Sequence, residues 1–293
     1  GMQQFVKLSR EICIDQPMGG RQPKQEALYH DKPAGMEQPS EDKGNQGRQQ
    51  QPKREIKHVD GMLRHTTRKL SYGPTPKGIR KEALKTPGAF LVHDLLSPDE
   101  CKQLIEISEE MGYEESPLRH LGRANAKTAQ LDQFTRSIRT SKRVMFDAHW
   151  ENMARTMNER LLPFLPPEVK CMGYSWKVYK QECINSRWRC NRYDKGGYFN
   201  PHYDAGYVYS PTRQTLLTFI LYLNDGFKGG NTTFLKKGRG TEKHIEPVVP
   251  KTGMALIFFQ AGMLSPLHEG ASLTGTSPKY ILRSDLSYER TAA

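Results

Sequence analysis

The hydrophobic pattern of the chain changes character twice. Residues 31–57 are crowded with Gln, Pro, Gly, Lys and Glu and hold almost no aliphatic side chain. Such a stretch cannot bury enough surface to offset the entropy of ordering it, and it reads as a linker or tail with little regular structure. From about Lys85 the pattern is that of a globular domain. The segment GAFLVHDLLSPDECKQLIEISEEMGY opens with a short apolar strand, followed by Ser97 and, three residues on, Glu100, the capping-box signature of a helix start. Leu104, Ile105, Ile107 and Met111 recur behind it near helical spacing. A second helix is predicted over His149–Leu162, ended by Pro163, Pro166 and Pro167. Beyond residue 170 the period shortens. Strands are predicted over Met172–Tyr179, Trp188–Tyr193, Thr215–Leu223, Thr232–Leu235, Met254–Phe259 and Lys279–Tyr288, with breaks such as GFKGGN and VVPKTG between them. Many short strands without alternating helices predict a mainly β fold with flanking helices, an antiparallel sandwich or jelly roll and not a parallel sheet. Two regions follow: a basic, largely low-complexity N-terminal extension over 1–84 and a folded domain over 85–293.

Charge and cysteine content narrow the function classes. The 293 residues carry 44 Lys+Arg against 32 Asp+Glu, a net charge of +12. Residues 1–80 supply half of that net charge, which makes the extension the better candidate contact for an anionic partner. A solvated basic surface explains the charge equally well. No apolar run exceeds LLTFILYL at 216–223, well short of the roughly 20 residues a membrane helix needs. The first residues show no secretory pattern, so the expected location is intracellular and cytoplasmic, away from the membrane. Five cysteines without a C-x-x-C pair fit neither a disulfide framework nor a zinc ribbon and are expected to be reduced and mostly buried. No G-x-S-x-G elbow is present, and the pairs Gly196-Gly197 and Gly229-Gly230 read as turn residues, with Phe258 and Phe259 as core.

Chemistry concentrates in RYDKGGYFNPHYDAGY, residues 192–207. His202 and Asp204 are two apart, so in extended backbone their side chains leave on one face and can converge on one ion. A third ligand has to come from another strand, and His268 in PLHEG can supply it. Two imidazoles and one carboxylate with open positions suit non-haem Fe(II) and oxygen chemistry. A lone His-x-Asp is weak evidence, and a hydrogen-bonded surface pair explains it as well.

The flanks carry more. The run from Arg192 to Asp204, then TLLTFILYLND, GGNTTF, PKTGMALIFF and LHEG…KYILRSD, with FLVHDLLSPDECKQLI and the RTS at Arg139–Ser141 upstream, resembles the 2-oxoglutarate- and Fe(II)-dependent oxygenases of the prolyl 4-hydroxylase type. The resemblance spans about residues 85–290. It implies a double-stranded β-helix barrel of the jelly-roll, cupin-like kind over the domain at 85–293. Its cofactors would be Fe(II), 2-oxoglutarate and O₂, with ascorbate as reductant, and His202, Asp204 and His268 would be the metal-binding, catalytic residues. The far carboxylate of the keto acid needs a cation inside the barrel, because an unpaired buried charge is costly. Lys279 and Arg283 are the candidates. On one strand they share a face but stand roughly 13 Å apart, so only one is the direct partner. The segment GTSPKY resembles the family's Gly-x-Lys followed by an aromatic residue, although three residues separate Gly275 from the lysine. Lys279 is chosen on that ground, with Arg283 as the alternative. Tyr193 and Thr218 match family positions whose hydroxyls bind the keto acid, and core packing is their plainer reading.

The substrate half of the site departs from the family pattern. Collagen-type prolyl hydroxylases carry a tryptophan six residues and a histidine eight residues beyond the lysine, where this chain has Asp285 and Ser287. An aromatic hydroxyl three residues before the first ligand is replaced by Phe199. Arg139 and Ser141 match a motif near the substrate entrance and are assigned to substrate positioning. The expected reaction is hydroxylation of a C–H bond, with a prolyl residue in a peptide or protein as leading target. A nucleic-acid or small-molecule oxygenase, or an inactive binding protein on the same barrel, are the alternatives.

Overall fold

The computed structural model describes residues 63–64, 68, 70–116, 136–147, 153–237, 242–260 and 264–290. The low-complexity stretch over 31–57 and most of the extension lie outside the described residues. So do the first residues of the second predicted helix.

Ten strands and two helices position the site. In chain order they are β1 (Phe90–His93), α1 (Pro98–Met111), β2 (Lys142–Asp147), α2 (Met153–Leu161), β3 (Arg187–Tyr193), β4 (Phe199–His202), β5 (Arg213–Tyr222), β6 (Thr232–Lys237), β7 (Glu242–Val248), β8 (Ala255–Phe259), β9 (Leu267–Gly270) and β10 (Lys279–Arg290). The large sheet runs β2-β3-β10-β5-β8-β1, with Leu63–Arg64 and Arg80–Ala83 at its ends. The small sheet runs β7-β6-β9-β4. Every pairing is antiparallel except that of Leu63–Arg64 with β2. The fold is mainly β with flanking helices, as the strand-and-turn pattern predicts. Tyr174–Val178 adds to β10 and is the strand predicted over Met172–Tyr179.

Period-2 alternation divides the large sheet into two cores. Leu217, Phe219 and Leu221 of β5 join one cluster with Trp188, Cys190, Leu282 and the helix residues Leu104, Ile107, Met157 and Leu161. Ile220 and Tyr222 of the same strand join a second with Tyr193, Phe234, Phe258 and Ile281. The first core lies under the helices and the second includes side chains from both sheets. Cys101, Cys183 and Cys190 are buried free thiols of the first core. Burial, their largest influence, pushes each of them up to about 12.

The helix start at Ser97 forms as predicted. Ser97 Oγ accepts from the Glu100 backbone N–H, and the Glu100 carboxylate accepts from the Ser97 N–H at 2.8 Å. The same carboxylate meets Arg160 of α2 at 2.8 and 2.9 Å and accepts from the Gly73 N–H at 3.0 Å. One glutamate thereby caps α1 and ties both helices to the chain that leads into the domain.

Candidate metal centre and its cavity

His202 ends β4, an edge strand, and His268 lies directly opposite on β9 in antiparallel register. Pro201 is tolerated in β4 because an edge strand need not donate on both sides. Asp204 follows two residues later, and all three side chains are buried. Their ligating atoms fall within 4.8 Å of one another, so among the described residues they form a cluster able to hold a metal ion. Each imidazole Nδ1–H donates to a backbone carbonyl two residues back in the chain: His202 to Asn200 at 2.8 Å and His268 to Pro266 at 3.1 Å. That fixes the tautomer and leaves both Nε2 lone pairs facing the carboxylate, His202 at 3.7 Å from Oδ1 and His268 at 3.7 Å from Oδ2. Phe199 stacks on His202 with ring centroids 3.5 Å apart, and Phe258 meets His268 edge-on at 4.6 Å.

The charge states suit a divalent cation. Burial and the neighbouring His268 push His202 down to about 3, against the attraction of Asp204. Burial likewise lowers His268. For Asp204 burial is the largest influence and would raise it, but Arg283, the two histidines and Thr218 together hold it well below the usual carboxylate range. At neutral pH the group is two neutral imidazoles and one carboxylate, the donor set an Fe(II) ion accepts.

The sequence-selected residues divide into two sets. His202, Asp204, His268, Tyr193, Lys279, Arg283 and Arg139 line one cavity of about 560 Å³, counting its open mouth. Thr218 and Ser141 do not line it. The Thr218 hydroxyl donates to Asp204 Oδ2 at 2.8 Å, so it holds the carboxylate of the cluster instead of facing the open space. Ser141 lies in a neighbouring depression with Lys142 and Asp194.

Lys279 and Arg283 share a face of β10, as expected, but their surroundings differ. Arg283 donates from Nη2 to Asp204 Oδ1 at 2.9 Å and lies 3.7 Å from Asp285. Lys279 is buried and its Nζ donates to the Gly230 carbonyl at 2.5 Å, with no carboxylate near it among the described residues. Burial alone pushes it down to about 7. Tyr193 and Tyr222 lie with their ring centroids 5.4 and 5.6 Å from Nζ. Gly230 has φ +70°, and a Cβ there would approach Lys279 Cδ at 3.3 Å and Leu273 Cδ1 at 3.1 Å, so the turn that aims this carbonyl at the lysine needs glycine.

Arg143, one of a basic group around Arg139 that the sequence allows as a solvated face, lines the cavity too, as do Arg189 and Asn191, which motif reading did not single out. For Arg189 and Asn191 the signal was present in RWRCNRY of β3, whose alternation puts Trp188 and Cys190 in the first core and Arg189, Asn191 and Tyr193 on the cavity side. Polar positions of a half-buried strand are ordinarily read as facing solvent.

Residues 188–284 match the 2OG-Fe(II) oxygenase superfamily. Among curated protein sequences none matches this chain. Solved structures similar to it include the viral collagen prolyl hydroxylase of Paramecium Bursaria Chlorella virus-1 in complex with 2-oxoglutarate, at 18% identity, TM-score 0.36 and coverage of 69% of this chain and 96% of that one. A Pseudomonas putida prolyl-4-hydroxylase has 17% identity and TM-score 0.40, with coverage of 70% and 94%. A Trichoplax adhaerens prolyl hydroxylase in complex with a hypoxia-inducible-factor peptide has 14% identity and TM-score 0.42, with coverage of 69% and 84%. The matched segment, about a third of the chain, is similar to the 2OG-Fe(II) oxygenase superfamily and holds the His-Asp-His cluster and the buried lysine.

Proposed function

We propose that this chain is a 2-oxoglutarate-dependent dioxygenase that hydroxylates a prolyl residue in a peptide or protein, with Fe(II) held by His202, Asp204 and His268 and the far carboxylate of 2-oxoglutarate held by Lys279. When bound, iron and the keto acid supply, with O₂, the oxidising power that replaces C–H by C–OH while 2-oxoglutarate becomes succinate and CO₂.

The protein's own contribution is positional. The Asn200 and Pro266 carbonyls orient the two imidazoles. Thr218 and Arg283 each hold one oxygen of Asp204, which keeps the carboxylate ionised and fixed in rotation. Arg283 is engaged in that pairing, so Lys279 is left to meet the keto acid. Tyr193 lines the same part of the cavity, and its hydroxyl is assigned to the same carboxylate. Phe199, Ile220 and Ile281 give the cavity apolar wall that limits water around the reacting carbon.

The single observation that carries the cofactor assignment is the buried Lys279 with a backbone carbonyl as its one hydrogen-bond partner among the described residues, in one cavity with the His-Asp-His cluster. A buried ammonium in that state gains most from an incoming carboxylate. The prolyl target rests on the sequence resemblance. Leu63–Arg64 and Arg80–Ala83 are strands of the large sheet and Leu70 joins the first core, so we set the start of the catalytic domain before Leu63 and not at residue 85, and assign the residues ahead of it to an extension with an anionic partner, and ascorbate to the role of reductant.

The test is anaerobic loading with Fe(II), ascorbate and 2-oxoglutarate, then exposure to O₂ with and without proline-containing peptides. Succinate release stimulated by peptide, together with one added oxygen on proline by mass spectrometry, is expected. Succinate that no peptide stimulates would remove the prolyl assignment and leave the cofactor assignment intact.

A further inference from the structure

The cavity carries more positive charge than metal and keto-acid binding can use. Arg139, Arg143, Arg189, Lys279 and Arg283 line it, against the carboxylates of Asp204 and Glu269 and that of Asp285 behind them. A divalent ion and a keto-acid dianion add charges that cancel, so loading the site supplies no net counter-charge to the remaining cations.

Two of these cations are already paired. Arg283 is committed to Asp204, and Arg189 donates to Asp285 Oδ2 at 2.9 Å. Among the described residues Arg143 has no carboxylate partner. Its Nε donates to Asn191 Oδ1 at 3.3 Å, a neutral and long contact. Arg139 stands beside it on the cavity wall, donates to the Ser116 carbonyl at 3.1 and 3.3 Å, and lies over the Phe199 ring at 5.4 Å. Burial first, and then the positive charges of Arg139, Arg189 and Arg283, hold Arg143 well below the ordinary arginine value. A guanidinium kept in such company without an anion is destabilising unless a ligand supplies one.

Register gives the distance. Arg143 pairs with Asn191 on β3, which pairs with Ile281 on β10, two residues from Arg283. Two strand spacings and two residues separate Arg143 from the arginine that touches Asp204, or roughly 10–12 Å between backbones, the reach of about three residues of extended chain.

We propose that the substrate is an acidic peptide segment and that Arg143, flanked by Arg139, receives a substrate carboxylate one to three residues from the residue that is hydroxylated. The inference rests on the oxygenase reading only in taking this cavity as the substrate site. A guanidinium fork matches a carboxylate in two parallel hydrogen bonds, which gives register along the peptide as well as affinity.

The test is binding, not turnover. Fluorescein-labelled peptides with a central proline and Glu or its Gln isostere one, two or three residues away are titrated by anisotropy into the full chain. The titration is run metal-free and again anaerobically with Mn(II) and 2-oxoglutarate. At least one Glu placement is expected to bind about tenfold tighter than its Gln counterpart, the size of one charge-assisted hydrogen-bonded pair. Arg143→Gln is expected to bring that preference below about twofold by weakening the Glu peptide alone, and Arg143→Lys to keep part of it. The same acidic preference with alanine in place of proline would uphold the arginine site while removing the prolyl assignment. Equal binding of Glu and Gln peptides at every placement would overturn the proposal. So would an Arg143→Gln variant that weakens both peptides alike, a phosphoserine peptide that binds much more tightly than every Glu peptide, or a single-stranded oligonucleotide that outcompetes them all.

Discussion

Two buried cations of this chain are equally hidden and oppositely served. Arg160 is 5% exposed, and its two terminal nitrogens meet both oxygens of Glu100 and the carbonyls of Leu95 and Gly73. Lys279 is 4% exposed and has one carbonyl. The first charge closes a junction between α1, α2 and the incoming chain. The second opens on the cavity that holds the His-Asp-His cluster. Burial by itself therefore does not sort structural charges from ligand-binding ones, whereas the use made of the donors does.

Breaking the closed pair should have the largest effect. Glu100→Ala leaves the Arg160 guanidinium buried without its counter-ion, and unfolding in urea is expected to show a loss of about 3–5 kcal/mol. Lys279→Met should behave in the opposite sense: the unfolding free energy is unchanged or higher, while the 2-oxoglutarate concentration for half-maximal succinate release rises on the order of 100-fold. If Arg283→Gln gave the larger increase in keto-acid requirement, the far carboxylate would belong to Arg283.

The open cation also predicts a pH profile. Free Lys279 is held down to about 7 by burial, and a carboxylate partner raises it. The charge that attracts the keto acid is thus fully present below pH 7 and is lost from the free protein above it. Affinity for 2-oxoglutarate, measured by calorimetry on metal-loaded anaerobic protein, should fall by up to about tenfold per unit as pH rises above that point. The smallest effect is expected of Thr218→Val, which removes one of two supports of Asp204. Losing that hydrogen bond, about 1 kcal/mol, should weaken metal binding about fivefold.

How far these features were legible depended on whether their cause was local. The apolar runs of β5, β8 and β10 announce buried strands, and Ser97 and Glu100 announce the start of α1, because capping and alternation act within a few residues. The strands β4, β7 and β9 were not read from periodicity. β4 and β7 are the two edges of the small sheet, and each contains a proline, Pro201 and Pro247, that a central strand would exclude. β9 is the four residues LHEG, too short to show a period. The second use of Glu100, as partner of Arg160 sixty residues away, leaves no trace in the capping signature. The cation at Lys279 could be chosen by resemblance, but its distinction from Arg283 is a matter of which carboxylate each one meets, and only the folded sheet supplies that.

The two-faced large sheet has a consequence for how long such a catalyst lasts. Oxygenase chemistry that proceeds without substrate attacks whatever oxidisable group is within reach, and thiolates are among the easiest targets. Cys190 stands between Arg189 and Asn191 on β3, one residue from the cavity in sequence, yet its side chain joins the core beneath the helices with Cys101 and Cys183. Each of the three is held as the protonated thiol up to about 12. On the proposed function the pleat would therefore act as a shield one backbone thick: damage from idle turnover would fall on the aromatic and histidine side chains that face the cavity and spare the sulfur-containing interior that holds the scaffold together.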